Sequence, residues 1–131
     1  MNKTLILVVE DDRPIRNLIV TTLKTHDYKY LAAENGASAI LEASSHNPDI
    51  VLLDIMMPGP NGYQTCRKIR ELSNAPILFL SARTKESDKT LGFSSGGDDY
   101  LAKPFSYNEL ISRSKALIRR YQVYKGKNES G

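Results

Sequence analysis

Three short runs in this chain are apolar at every position: Leu5–Val9 (LILVV), Ile50–Leu53 (IVLL) and Ile77–Leu80 (ILFL). A strand with one face in water alternates apolar and polar residues. A strand without that alternation is buried on both faces, as in a parallel sheet covered by helices on either side. Two weaker runs, Tyr30–Ala33 and Tyr100–Ala102, bring the set to five, and the first of these reads as an edge strand.

Helix-periodic segments lie between the runs. Residues 13–25 place Ile15, Leu18, Ile19, Thr22 and Leu23 on one stripe, with Asp12 as N-cap and Pro14 in the first turn, where its missing N–H is not needed. Asn35-Gly36 opens a second helix to about Ser45, and Asn61-Gly62 a third to about Leu72. A fourth spans roughly Glu86 to Ser95. Ser106 with Glu109 three residues on forms a capping box for a fifth, which runs to about Tyr121. There is no internal repeat. Strict β/α alternation gives a parallel sheet with right-handed crossovers, and five strands in this length fit a flavodoxin-like (βα)5 three-layer sandwich of strand order 2-1-3-4-5. The expected division is one domain over 1–121 and a linker or disordered tail over 122–131, where KGKNESG lacks an apolar pattern.

A length of 131 residues allows one domain with a real core and not two. One cysteine, Cys66, permits no internal disulfide and fits a reducing cytosol; most simply it is core or boundary. No stretch approaches the ~18 apolar residues of a membrane span. The expectation is a soluble, cytoplasmic protein without membrane contact. The net charge of +3 is uneven: residues 106–131 carry six Lys/Arg against Glu109 and Glu129. That end suits either a polyanion contact or a solvated helix face and tail, and so small a net charge favours the second. His26 and His46 fall at loop or helix-end positions.

In open α/β sheets the chemistry sits at the carboxyl ends of the strands. There Glu10, Asp11 and Asp12 follow the first strand, Asp54 ends the third, Ser81 ends the fourth and Lys103 follows the fifth. Adjacent carboxylates repel unless a cation lies between them. Glu10, Asp11 and Asp54 supply the hard oxygen ligands that Mg²⁺ or Mn²⁺ prefers, with Lys103 as a compact positive charge facing the same pocket. A carboxylate can attack phosphorus to give an acyl phosphate, a transfer governed by positioning and by neutralising the equatorial oxygens.

The strings LVVEDD, IVLLDIMMPGPNG, ILFLSAR and GGDDYLAKPF, in order and at the usual spacing, resemble the four signature segments of bacterial two-component receiver domains. The resemblance covers about residues 4–121. It implies a phosphorylation-dependent switch with Asp54 as phosphoacceptor, receiving its phosphoryl group from a sensor histidine kinase. Glu10 and Asp11 are then the acidic pair, Asp11 the more direct ligand, and the Met56 backbone carbonyl is a third Mg²⁺ ligand. Ser81 is similar to the switch hydroxyl and Tyr100 to the aromatic whose rotamer reports phosphorylation. Lys103 matches the phosphoryl-binding lysine, with a cis Lys103–Pro104 bond. Such a domain is not an enzyme with turnover; it promotes its own phosphorylation and slow autodephosphorylation.

The segment ESDKTLGFSSGGDDYLAKPF and the basic helix after it resemble the winged-helix, DNA-binding class of these regulators. That class dimerises through the face of the fourth helix, fifth strand and fifth helix, where Lys89, Asp98, Asp99, Glu109, Arg113 and Arg120 occupy matching positions. Ser94-Ser95 stand where an acidic residue is common and Gly97 replaces the usual alanine, departures that bear on the dimer and not on phosphorylation. Glu109 is claimed both by its cap and by that face. By the resemblance this is a regulator without its DNA-binding half, so DNA would be reached only through a C-terminal winged-helix domain absent from these residues. The alternative is a stand-alone receiver acting by protein contact. A phosphatase of the haloacid-dehalogenase type would need a D-x-D motif after the first strand, where Glu10-Asp11-Asp12-Arg13 stand. A flavodoxin-type cofactor binder would need a phosphate cradle there, and three acids repel phosphate.

Overall fold

A computed structural model describes residues 4–82, 91 and 94–130, with side chains to residue 123. The five strands are β1 (Leu5–Val9), β2 (Lys29–Ala33), β3 (Ile50–Asp54), β4 (Ile77–Ser81) and β5 (Asp99–Ala102). They form one parallel sheet in the order β2-β1-β3-β4-β5, as the alternation predicts. The central strands β3 and β4 are buried at every position, whereas β2 lies at an edge and is buried only at Ala33.

Alternate residues of each strand feed two separate cores. On one face Ile6, Val8, Leu52, Leu78 and Leu80 pack with Ile19 and Leu23 of α1 (Arg13–Thr25) and Leu110 and Leu117 of the C-terminal helix (Tyr107–Ser130). On the other, Leu7, Val9, Leu53 and Phe79 pack with Ala39 and Ala43 of α2 (Gly36–His46) and Tyr63, Cys66 and Ile69 of α3 (Gly62–Leu72). Each fully buried Leu, Ile or Phe contributes roughly 1.5–3 kcal/mol. The caps are in place: Asp12 Oδ1 accepts from the Ile15 N–H, Asn35 from Ser38, and Asn61 and Gln64 cap each other reciprocally.

Two expectations are corrected. Leu18 is 53 % exposed and does not share the buried stripe of α1. Ile19 and Leu23 pack with the C-terminal helix, whereas Leu18 lines a groove of about 370 Å³ with Ile15, Phe105 and Tyr107. The last helix also does not end near Tyr121 but continues to Ser130. Gly126 is its one strong breaker, at about 1 kcal/mol relative to Ala. Of the fourth helix expected over 86–95, Leu91 and Ser94 are helical; residues 83–90, 92 and 93, Lys89 among them, lie outside the described residues.

Candidate functional site

Because all five strands run the same way, their carboxyl ends share one rim. Glu10, the residue after β1, is fully buried; its N–H donates to the Ala33 carbonyl at 3.1 Å and its own carbonyl accepts from Arg16 Nη1 at 2.8 Å. Arg16 was not legible as a site residue, since its target is a backbone carbonyl. Asp11 stays exposed at the pocket mouth, and Asp12 beside it spends its Oδ1 capping α1. Asp54 ends β3 at 2 % exposure. Behind it the loop folds back so that the Gly62 N–H donates to the Ile55 carbonyl at 2.9 Å. A Cβ on Gly62 would lie 2.6 Å from the Asp54 carbonyl, so only glycine lets α3 start this close to the acceptor strand.

Lys103 arrives from the far side of the sheet. Its N–H donates to the Ser81 carbonyl at 2.8 Å, and the Lys103–Pro104 bond is cis. Its Nζ donates to Glu10 Oε1 at 2.7 Å and to Asp54 Oδ1 at 3.3 Å. Carboxylate oxygens of Glu10, Asp11 and Asp54 lie within 4.8 Å of one another. The resulting pocket of about 270 Å³ is lined by these residues with Asp12, Ile15, Met56 and Ala82. Ser81 is fully buried at the end of β4, just before Ala82. Tyr100 is packed inward at 7 % exposure, its ring 6.3 Å from that of Phe79.

The electrostatics are those of an acidic site short of cation. Burial, then the hydrogen bond and charge of Glu10, push the Asp54 carboxyl up to about 7 against the opposing charge of Lys103. Burial works against the Lys103 charge, but the hydrogen bond to Glu10 and the Asp54 charge outweigh it and hold the ammonium above its ordinary value. One ammonium therefore does not compensate three carboxylates, and the donor set fits a divalent cation with hard oxygen ligands. Glu10 has both oxygens engaged, Oε1 by Lys103 and Oε2 by the Asp12 N–H at 3.3 Å. Asp11 and Asp54 are thus the freer carboxylates. Asp11→Ala is expected to abolish Mg²⁺ binding, whereas Asp12→Ala should leave it nearly intact and cost ~1 kcal/mol of stability as a lost cap. Calorimetric titration and thermal melts of the two variants check this, and the reverse ranking would move the cation by one residue.

The remaining residues sit elsewhere. Asp98 Oδ2 accepts from Arg70 Nη2 at 3.0 Å and from the Ile77 N–H at 2.8 Å. Asp99 pairs with Arg113 of the same chain at 3.1 Å. Only one arm of the capping box expected at Ser106 and Glu109 is formed: the Glu109 N–H donates to Ser106 Oγ at 3.0 Å, while its carboxylate lies 3.4 Å from Arg113 Nε of the same chain. Arg120 is exposed. Cys66 Sγ donates to the Ser95 carbonyl at 3.3 Å, and burial pushes its thiol up to about 11, so it is structural and not a nucleophile. His26 is the C-cap of α1, and His46 lies 3.3 Å from Glu42. Among the described residues no helix is long and apolar enough to cross a membrane.

Residues 6–115 match the family described as response regulator receiver domain. The chain is 50% identical over 124 residues to the transcriptional regulatory protein YrkP of Bacillus subtilis, covering 95% of this chain and 53% of YrkP. It is 46% identical over 119 residues to ResD of the same organism, covering 91% of this chain and 50% of ResD. The chain thus spans about half the length of the curated relatives it matches. Among solved structures, the receiver domain of the sensor histidine kinase PA1611 from Pseudomonas aeruginosa, described with a magnesium ion coordinated in its active site cleft, superimposes with a TM-score of 0.82. That pair is 31% identical, over 89% of this chain and 98% of the other. With two thirds of its length and more in register with these proteins, the chain belongs to the response regulator receiver domain family of two-component signalling.

Proposed function

We propose that the chain is a cytoplasmic switch that takes a phosphoryl group from a sensor histidine kinase onto Asp54, with Mg²⁺, and reports it through its β5 face. The observation that carries this reading is Lys103 Nζ bridging Glu10 and Asp54, residues 93 and 49 positions away. In the transfer an Asp54 carboxylate oxygen forms the new O–P bond as the N–P bond of the phosphohistidine breaks; the bond's electron pair stays on the ring nitrogen, and the histidine leaves as neutral imidazole with the proton already on its other nitrogen. Lys103 neutralises the phosphoryl oxygens, Ser81 offers its hydroxyl to one of them, and Glu10 holds the Lys103 ammonium in place. When bound through Asp11, Asp54 and the Met56 carbonyl, Mg²⁺ supplies charge to the same oxygens and keeps Asp54 ionised.

The output follows from linkage. Phosphate on Asp54 engages the buried Ser81 hydroxyl and favours the packed-in position of the Tyr100 ring over an outward one. That bias favours a symmetric dimer through the fourth helix, β5 and the C-terminal helix, with Lys89, Asp98, Asp99, Glu109, Arg113 and Arg120 setting the register. Through it the chain controls a C-terminal winged-helix domain; the half-length match to YrkP and ResD favours this over a stand-alone receiver. The domain proper is read as 1–121, with 122–131 as its connection.

Sedimentation with a beryllofluoride mimic tests the output. The parent is expected to shift from monomer to dimer, the more so at low salt because the pairs are partly exposed. Arg113→Glu would place a third carboxylate beside Asp99 and Glu109 and should remain monomeric. If that variant dimerises as well as the parent, the face is wrong.

A further inference from the structure

Arg16 and Arg70 both give guanidinium donors to backbone carbonyls. Arg70, on α3, takes those of Ser73, Ala75 and Gly96, away from the phosphoacceptor pocket. Arg16, half-buried near the start of α1, reaches back along its own chain to the edge of that pocket. Its Nη1 donates to the Glu10 carbonyl at 2.8 Å, while its N–H closes the first turn of α1 on the Asp12 carbonyl at 2.9 Å.

Asp11 lies inside the loop so formed. The Glu10 carbonyl belongs to the peptide that enters Asp11. The Asp12 N–H belongs to the peptide that leaves it, and donates to Glu10 Oε2 at 3.3 Å. Glu10 is in turn fully buried and bonded to Lys103 Nζ at 2.7 Å. Both peptides that flank Asp11 are therefore held, although its side chain is exposed. A carboxylate oxygen of Asp11 nevertheless lies within 4.8 Å of those of Glu10 and Asp54. Like charges this close repel, so on a free backbone an exposed carboxylate would swing away into water. A hydrogen bond from a charged donor is roughly twice as strong as one between neutral groups, and here it resists that swing.

We infer that Arg16 is a positioning residue for the cation: by holding the Glu10–Asp11 peptide from α1, it keeps the Asp11 carboxylate beside Asp54. The inference rests on the function reading given above, in which Asp11 and Asp54 take Mg²⁺. Arg16 acts on the cation only through the backbone. Residues that orient a metal ligand from outside typically account for roughly 10–100-fold in metal affinity. Two other roles for Arg16 predict different results. If it acted as a charge alone, removing it beside an acidic pocket would draw a divalent cation in more tightly. If it served the fold alone, its loss would lower the melting point and leave the affinity of the folded chain unchanged.

The test is calorimetric Mg²⁺ titration of the chain, below the melting transition of every variant. Arg16→Met is expected to weaken Mg²⁺ binding roughly tenfold. Arg16→Lys keeps the charge and a donor for the same carbonyl, and should return to within about threefold of the parent. Arg13→Met removes an exposed charge nearby and should bind as tightly as the parent or more so. Arg16→Gln replaces Arg16→Met if the latter does not fold, since its shorter side chain leaves the carbonyl and the same loss is expected. In labelling by acetyl phosphate, followed by intact mass, the Arg16→Met chain should need about tenfold more Mg²⁺ for its half-maximal rate and reach the parent's plateau. Arg16→Met binding as tight as the parent's, Arg16→Lys binding as weak as Arg16→Met, or a plateau that stays low at saturating Mg²⁺ overturns the inference. A parent that binds no Mg²⁺ overturns the inference and the function reading together. A parent series that shows the expected Mg²⁺ ranking but gains no phosphoryl mass upholds the inference and overturns the function reading.

Discussion

Asp54→Asn is expected to take up no phosphoryl group from a small phosphodonor such as acetyl phosphate, where the parent takes up one per chain with Mg²⁺ and none without it. Intact-mass measurement decides this, and an equal mass gain in the variant would remove Asp54 as the acceptor. The same substitution has a second consequence, in stability. Asp54 rises from an ordinary 3.8 to about 7 in the folded chain, first because it is buried and then because Glu10 faces it. The folded state therefore binds the proton more tightly than the unfolded state. The stability this confers is full below about pH 4 and is lost as pH rises toward 7, on the order of 4 kcal/mol in the absence of metal. A carboxamide at this position cannot titrate, so the variant should lose this slope and be the more stable of the two at pH 8. Added Mg²⁺ should raise the parent's melting point and leave the variant's unchanged, an effect that denaturation series at several pH values would read directly.

Gly97→Ala is expected to destabilise the chain by about 1–3 kcal/mol, the usual cost of overfilling a packed core. A methyl group on Gly97 would overlap the Cε2–Cδ2 edge of the Phe79 ring, which is fully buried on β4 and packed edge-on against Tyr63. The departure at Gly97 thus has a partner: the ring of Phe79 occupies the volume an alanine methyl would need. Phe79→Leu combined with Gly97→Ala should recover much of the loss, and thermal melts of the single and double variants measure it. If Gly97→Ala melts with the parent, the ring has room to move and the pairing is not real. Because Phe79 also touches Tyr100, the single variant should disturb the Tyr100 ring as well, visible as a change in its aromatic NMR signals.

The fold was legible because strands such as Ile50–Leu53 have no polar face, which leaves few architectures able to bury them. The convergence of Glu10, Asp54 and Lys103 was legible only through topology, since nothing local connects residues 10 and 103; parallel direction puts both on one rim. Leu18 was misread because helical periodicity marks an apolar face without saying how far the neighbouring helix covers it. The end of the last helix was misplaced because KGKNESG lacks an apolar pattern, and helix length depends also on capping and propensity. Arg16 and Arg70 were missed for a different reason: their partners are mostly backbone carbonyls, which every sequence contains and none displays.

The span of the Lys103 contacts bears on how the chain fails. Lys103 closes a loop that runs back to Glu10, so the reactive pocket exists only when β1, β3 and β5 are all seated at once. A chain lacking its last strand, or one nicked before it, keeps the carboxylates but loses the counter-charge. On the proposed reading, fragments and half-folded chains would be mute toward the kinase, and no signal would pass to a molecule that has not finished folding. A cation bound there would in turn favour the complete chain by mass action, so the ligand that completes the pocket would also protect it from unfolding.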